Sequence, residues 1–332
     1  ITIFGHKSFF MKSIQTLFVL ILGIMSQISF AQFTDDINSN RPGRSMMAFS
    51  VGKSVFQTET GLHYVNEDHN TLDYKASGFM AEFDIRWGLF FEQLELIAEF
   101  QYQNDNYTSD LLDKNRSALK KTLFGAKYLI YDPFKNYEEK PNLYSWKANH
   151  RFKWRQLIPA VAVYGGANLN FSDNPFNFAP VGIEEPKVSP KAMIIAQNHF
   201  GSRWVLVTNV AYNKIGSEFA SIDYILTLTR GFNSKWSGFI ENQGYMGDYY
   251  SDGLFRMGAA YLFNKDMQID ASIGKNIKNT PSLFTGGIGF SWRFTKNYKE
   301  VKIEKDNGSK MDKKMKKKGE KDAKKRKDAV EE

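Results

Sequence analysis

Acidic and basic side chains recur at alternate positions along runs whose intervening residues are aromatic or aliphatic. Phe79, Ala81, Phe83, Ile85 and Trp87 alternate with Met80, Glu82, Asp84 and Arg86; Leu94, Leu96, Ala98, Phe100 and Tyr102 alternate with Glu95, Ile97, Glu99 and Gln101. Along the chain, one face of such runs collects Glu59, Glu82, Asp84, Glu95, Glu99, Asp223, Glu241 and Asp270, together with Arg86, Lys121, Lys127, Arg203, Arg256 and Arg293. A two-signed set on one face can line a polar channel whose charged constriction selects small solutes. It can equally pair internally, as an ion network that fills and stiffens a narrow barrel without an open pore.

Catalytic chemistry has weaker support. His199 and Ser202 are three apart and fall across a turn, Asp68-His69 are neighbours in a loop, and His63 faces inward with no Ser or paired carboxylate close in sequence. Nothing has metal-ligand spacing, and no Gly-rich loop leads from a strand to a helix as a phosphate cradle requires. The expectation is no enzyme, no catalytic residues, no metal and no cofactor. A membrane hydrolase ranks below the two barrel readings.

The elements that position these charges are strands, because the period is two. Further runs are Met267, Ile269, Ala271, Ile273 against Gln268, Asp270, Ser272, Gly274, and Phe284, Ile288, Phe290, Trp292, Phe294 against Thr285, Gly287, Gly289, Ser291, Arg293. About twelve strands are expected, near 54–65, 77–88, 92–104, 119–131, 155–168, 190–199, 202–213, 219–230, 234–244, 253–263, 266–275 and 283–294. Short turns are expected after strands two, six, eight and ten, and longer links after strands one, three, five, nine and eleven. The link near 132–153 is long on the short-turn side. Trp87, Trp154, Trp204, Trp236 and Trp292 all fall at one end of this arrangement, the periplasmic rim, where an indole ring half in lipid keeps its N–H wet. The fold class expected is all-β: a transmembrane, antiparallel, up-and-down β-barrel of about 12 strands spanning residues 54–294.

Composition agrees with that class. The chain has 332 residues, no cysteine, 42% hydrophobic and 15% aromatic residues. A mean hydropathy of -0.43 argues against a polytopic helical membrane protein, but alternating strands average out to polar values. The net charge of +8 is concentrated at the ends. Lys299–Glu332 holds 13 Lys, one Arg and nine acids, and Lys7 and Lys12 precede Gln32, which leaves only +1 for the middle. A nucleic-acid partner would need a basic folded surface, so none is expected.

The first 31 residues read as an upstream extension followed by a signal peptide: Met11-Lys12, an apolar run from Leu17 to Met25, and Ser29-Phe30-Ala31 before a cleavage point. The chain after cleavage near Ala31 leaves the cytoplasm. Residues 32–53 are either a periplasmic linker or a plug that enters the lumen from below. Residues 295–332 form a Lys-rich periplasmic tail expected to be disordered, with peptidoglycan or anionic lipid as candidate partners.

Three segments resemble a known family, the outer-membrane barrels assigned to transport in the meta-pathway of phenol degradation. Asn40-Arg41-Pro42-Gly43-Arg44-Ser45 with Val51-Gly52-Lys53 and Gln57-Thr58-Glu59-Thr60-Gly61 is similar to the family's opening motif. Ile85-Arg86-Trp87-Gly88-Leu89 with Leu94-Glu95-Leu96 is similar to its hairpin. The stretch from Trp236 to Phe294, with Phe239-Ile240-Glu241, Met267-Gln268-Ile269-Asp270 and Gly287–Phe294, is similar to its ending. Asn40 stands where the family usually has Asp, and the chain continues past Phe294. The resemblance implies an outer-membrane transporter or pore of a Gram-negative bacterium for small solutes, hydrophobic or aromatic ones among them. Its partners would be outer-membrane lipid, the barrel-insertion machinery and the solute. The alternative is a closed structural barrel that anchors the envelope through its basic tail.

Overall fold

In the computed structural model the described residues are 36–110, 112–135, 144–145, 153–171, 174–177, 183–201 and 203–295. The signal-peptide and tail expectations, Ser202 and most of the 132–153 link lie outside them.

The strands are β1 (Phe56–His69), β2 (Tyr74–Gly88), β3 (Leu94–Ser109), β4 (Asp113–Tyr131), β5 (Ala160–Leu169), β6 (Val188–Phe200), β7 (Trp204–Asn213), β8 (Ser221–Gly231), β9 (Trp236–Gly247), β10 (Ser251–Asn264), β11 (Met267–Asn276) and β12 (Ser282–Phe294). Each pairs antiparallel with its sequence neighbours, and β1 closes on β12 from Phe56↔Phe294 to Asp68↔Ser282. Closure leaves no sheet edge, which hydrocarbon would not tolerate because an unpaired N–H or C=O there has no partner.

The alternation sorts side chains by solvent. Leu62, Phe79, Ile194, Ile240, Met257 and Ile288 stand on the outer face, each more than half exposed. Glu59, Glu82, Arg86, Glu95, Gln103, Glu241 and Asp270 point inward and are buried. A water-soluble sheet would present the reverse, so the outer face is lipid-facing and the chain is a membrane-spanning barrel. Trp87, Trp204, Trp236 and Trp292 lie near the rim that carries the two chain ends of the barrel.

Three sequence expectations need correction. Strand five begins at Ala160, and Trp154 sits in a short 3-10 turn, Trp154–Leu157, whose Gln156 and Leu157 carbonyls accept from Asn198. Pro159 supplies no N–H to a ladder, which favours a strand starting after it. The links after strands one and three are short, because the strands run on into polar sequence. There Asn115 bonds Asn104 and Asn106, and Arg116 bonds Asp105, so cross-strand polar pairs replace lipid contact. The link after strand nine is short for the same reason, since β10 already begins at Ser251.

A charge introduced on the lipid face tests the assignment. Ile288→Arg, central in β12, should cost about 2–4 kcal/mol in reversible unfolding from vesicles. An unchanged urea midpoint would mean that this face does not meet hydrocarbon.

Candidate functional site: a lumen crossed by an N-terminal arm

Residues 36–55 form an arm inside the barrel. It starts at the rim that carries the chain ends, where the Ile37 N–H donates to the Lys265 carbonyl (2.8 Å) and Arg293 donates to the Asp36 carbonyl (3.1 Å). The arm rises along β12 and β11, with Ser39 Oγ 2.8 Å from Ser291 Oγ and Gln268 donating to the Arg41 carbonyl (3.0 Å). It turns at Pro42-Gly43-Arg44 and crosses to β7 and β6. There Asn209 brackets Met46, accepting from its N–H (2.6 Å) and donating to its carbonyl (2.9 Å), and Gln197 accepts from the Ala48 N–H (2.9 Å). It descends past β3, where Glu95 accepts from the Val51 N–H (3.0 Å), and enters β1. A backbone with no strand to pair with is thus satisfied by inward side chains of the wall.

Two ionic clusters hold the arm. In the first, Arg41 bonds Glu82 (3.0 Å) and both oxygens of Asp270 (3.1 and 3.3 Å), with His63 Nε2 3.1 Å from Glu82. Gly61 and Gly289 face the Arg41 guanidinium, and Gly287 faces the His63 ring; a Cβ at any of them would collide. In the second cluster, Arg86 donates to both oxygens of Glu95 (2.6 and 3.2 Å), to Glu59 (3.1 Å) and to the Asn38 carbonyl. Lys127 bonds Glu95 (3.1 Å) and donates to the Met47 and Phe49 carbonyls (2.8 and 3.1 Å). Arg86, Glu95 and Lys127 are wholly inaccessible to solvent.

At the arm's tip Arg44 pairs with Glu82, and its N–H donates to Glu241 (2.8 Å). Burial works against the Arg44 charge, but Glu82 outweighs it and lifts the pKa above its usual value. Glu241 also accepts from Arg256 (2.7 Å) and Thr227 (2.7 Å). The descending limb is held differently: Met46 and Ala48, with Phe49 alongside, pack on Ile97, Leu123, Leu129, Ala160, Ala162 and Ile195.

Beyond the tip the inward Asp84, Glu99, Lys121 and Lys191 are only half-buried, and this part of the lumen is the chamber. Lys121 pairs with Glu99, and Asp84 and Lys191 stand at inward positions of β2 and β6. Asp223 accepts from Ser221 (2.8 Å). A β-bulge at Lys120 turns it inward beside Lys121, and it donates to Gln103 (2.9 Å). Further out, Phe176 from the β5–β6 link lies under Arg116 and Lys120.

The fourteen residues marked in the sequence therefore have three fates. Glu59, Glu82, Arg86, Glu95, Lys127, Glu241, Arg256, Asp270 and Arg293 pair with one another, with neighbouring wall residues or with the arm. Asp84, Glu99, Lys121 and Asp223 face the chamber. Arg203 is a correction: it lies exposed in the turn between β6 and β7, because β7 starts at Trp204 and not at residue 202, and it is not in the lumen. The histidines and acids considered for catalysis have structural partners. His69 accepts from the Thr71 and Leu72 N–H groups in a hairpin turn, Asp68 is 3.8 Å from Lys75, and His199 stacks edge-on against Phe49 and Phe134.

The sequence placed Arg41 and Arg44 only in a segment that is either a linker or a plug; their ion pairs, Lys120, Lys191 and the apolar inner wall were missed. A signal for that wall exists. Ala160–Val163 and Met193–Ala196 are apolar at every position, and a strand apolar on both faces needs cover on both.

Between the rising limb of the arm and the wall of β7–β11 remains a cavity of about 190 Å³. Its wall side is uncharged, formed by residues such as Val207, Thr229, Ser237 and Phe239.

These features define a class: a closed twelve-strand membrane barrel whose lumen is narrowed by its own N-terminal arm. Residues 39–294 match the family described as "Putative MetA-pathway of phenol degradation", and the chain belongs to that family. Among solved structures, the COG4313 outer membrane channel from Pseudomonas putida F1 is similar at 11% identity, covering 78% of this chain and 100% of that one, with a TM-score of 0.52. The KdgM porin (9% identity, 70% and 99% covered, TM-score 0.41) and a TodX monoaromatic hydrocarbon channel mutant (12%, 74% and 92%, 0.40) are more distant. No curated protein matches in sequence. The fold is that of an outer-membrane barrel.

Removing one member of the fully buried cluster should be severe. Arg86→Met strands Glu59, leaves Glu95 with Lys127 alone, and should destabilise the barrel by about 3–5 kcal/mol. Lys75→Met, which removes an exposed pair, should cost about 0–1 kcal/mol. Parallel urea titrations would compare the two; equal small effects would mean that the lumen around Arg86 is hydrated.

Proposed function

We propose that the chain is an outer-membrane channel for small solutes, with both ends of its barrel at the periplasmic rim. The carrying observation is that the arm narrows the lumen without filling it: it leaves the 190 Å³ cavity on the β7–β11 side, and beyond its tip the inward Asp84, Glu99, Lys121 and Lys191 stay half-buried. The family's description points to aromatic solutes as cargo. Asp84, Glu99, Lys121 and Asp223 screen solutes in the chamber, whereas Glu59, Arg86, Glu95 and Lys127 hold the arm. No catalytic step is part of this reading; the wall supplies a polar path and an ionic filter.

Planar-bilayer recording of the refolded chain should give discrete conductance steps. Asp84→Asn with Glu99→Gln should lower cation preference, while Glu95→Gln should lower stability and leave the reversal potential unchanged. Arg41→Gln should raise the mean conductance at least about twofold by unlatching the arm. Silence from protein shown to be inserted would overturn the channel reading.

A further inference from the structure

We infer that the cavity between the arm and the β7–β11 wall is a binding station for one uncharged solute of single-ring size that carries a hydroxyl group. The inference rests on the channel reading and names the solute's resting place within it.

Size comes first. The volume is about 190 Å³, and an engineered apolar cavity of about 150 Å³ takes one benzene ring. One ring with a small substituent fits; two rings do not.

Charge comes second. Arg41 is the single ionic side chain on the lining, and its guanidinium is committed to Glu82 and Asp270. Glu241, behind Thr227, is committed to Arg256 and the Arg44 N–H. An anion in the cavity would find no free cation, and a cation no free carboxylate, so desolvating either is unfavourable.

Hydrogen bonding comes third. Val207, Phe239 and Ala260 supply an apolar floor, yet the Thr229 and Ser237 hydroxyls beside them make no hydrogen bond among the described residues. Gln268 spends its amide N–H on the Arg41 carbonyl (3.0 Å), and its carbonyl oxygen has no donor among the described residues. A solute hydroxyl would donate to Gln268 Oε1 and accept from Ser237 or Thr229 while its ring covers the apolar floor. A purely apolar solute would leave these groups unpaired. Thr229 and Ser237 lie near the rim-proximal ends of β8 and β9, on the periplasmic side of the arm's tip.

The test uses the refolded full chain in micelles, with cyclohexanol and cyclohexanecarboxylate as probes followed by ligand-observed NMR. Cyclohexanol should bind saturably to the wild type, and cyclohexanecarboxylate should not. Ala260→Phe, which fills the cavity, should weaken cyclohexanol binding at least about tenfold. The smaller double change Ser237→Ala with Thr229→Val should weaken it about fivefold, and it guards against a folding defect in the first variant. Cyclohexanol binding unchanged by both variants, or a carboxylate that binds as well as the alcohol, would overturn the station. Conductance of the same preparation separates the two readings. A conducting wild type without saturable cyclohexanol binding sinks the station and keeps the channel; a non-conducting one removes the channel itself.

Discussion

A charge cannot face hydrocarbon, and in a narrow barrel that constraint has an inward consequence. A Glu, Asp, Arg or Lys at the middle of a membrane-spanning strand must point into the lumen, where there is little room for each to keep its own water. The wall alone does not neutralise what it collects: Glu82 finds its cationic partners in Arg41 and Arg44, Asp270 finds Arg41, and the Asn38, Met47 and Phe49 carbonyls complete the partners of Arg86 and Lys127. The N-terminal arm is therefore part of the lumen's electrostatic balance. Its backbone needs donors and acceptors that only the wall can provide, so arm and wall satisfy each other.

The two halves of the wall hold the arm by different forces. On β1–β3, β11 and β12 the contacts are ionic and directional, and they set the height of the Arg41–Arg44 tip. On β4–β7 apolar packing is added to the polar bonds from Lys127, Gln197 and Asn209, with Met46 and Ala48 seated on Leu123, Ala160, Ala162 and Ile195. The remaining arc, β7–β10 with the inner edge of β11, carries small and hydroxylated side chains and holds the arm least tightly. A closed structural barrel would gain from packing that arc as well. Its small residues leave open volume where larger ones would have completed the core, and this favours a passage over a solid filling.

How much of this was legible in the sequence depends on the range of the interaction. Period-two alternation is local, so the strands from Phe79 to Trp87 and from Phe284 to Phe294 could be placed with the right faces inward. Strand ends were harder: Tyr102–Ser109 keeps the period after its residues turn polar, and polarity there reads as loop although cross-strand Asn and Arg–Asp pairs continue the ladder. Arg203 shares the inward parity of Val207, Asn209 and Ala211, but its strand was begun at residue 202 whereas the ladder starts at Trp204, so it falls in the turn. The arm was the least legible part. Arg41 meets Glu82 and Asp270 across 41 and 229 residues of chain, a separation that no window of sequence spans. The bulge that brings Lys120 in beside Lys121 is equally silent, since adjacent lysines on a strand normally face opposite ways.

These contacts also bear on how a solute could cross. Leaving the lumen would take Arg41 from Glu82 and Asp270, the Asn38 carbonyl from Arg86, and two carbonyls from Lys127, all in places that solvent barely reaches. Stranding one buried charge costs about 3–5 kcal/mol, and full withdrawal would strand several before water could enter to screen them. A passage beside the arm requires none of this. It needs movement only beside the uncharged stretch of wall formed by Val207, Thr229, Ser237, Phe239 and Ala260. Gly61, Gly287 and Gly289 support the same conclusion: their missing Cβ atoms make room for the Arg41 and His63 side chains. A wall thinned at three positions to receive the Arg41–His63 cluster is shaped for an arm that stays, which favours a passage beside the arm over one that expels it.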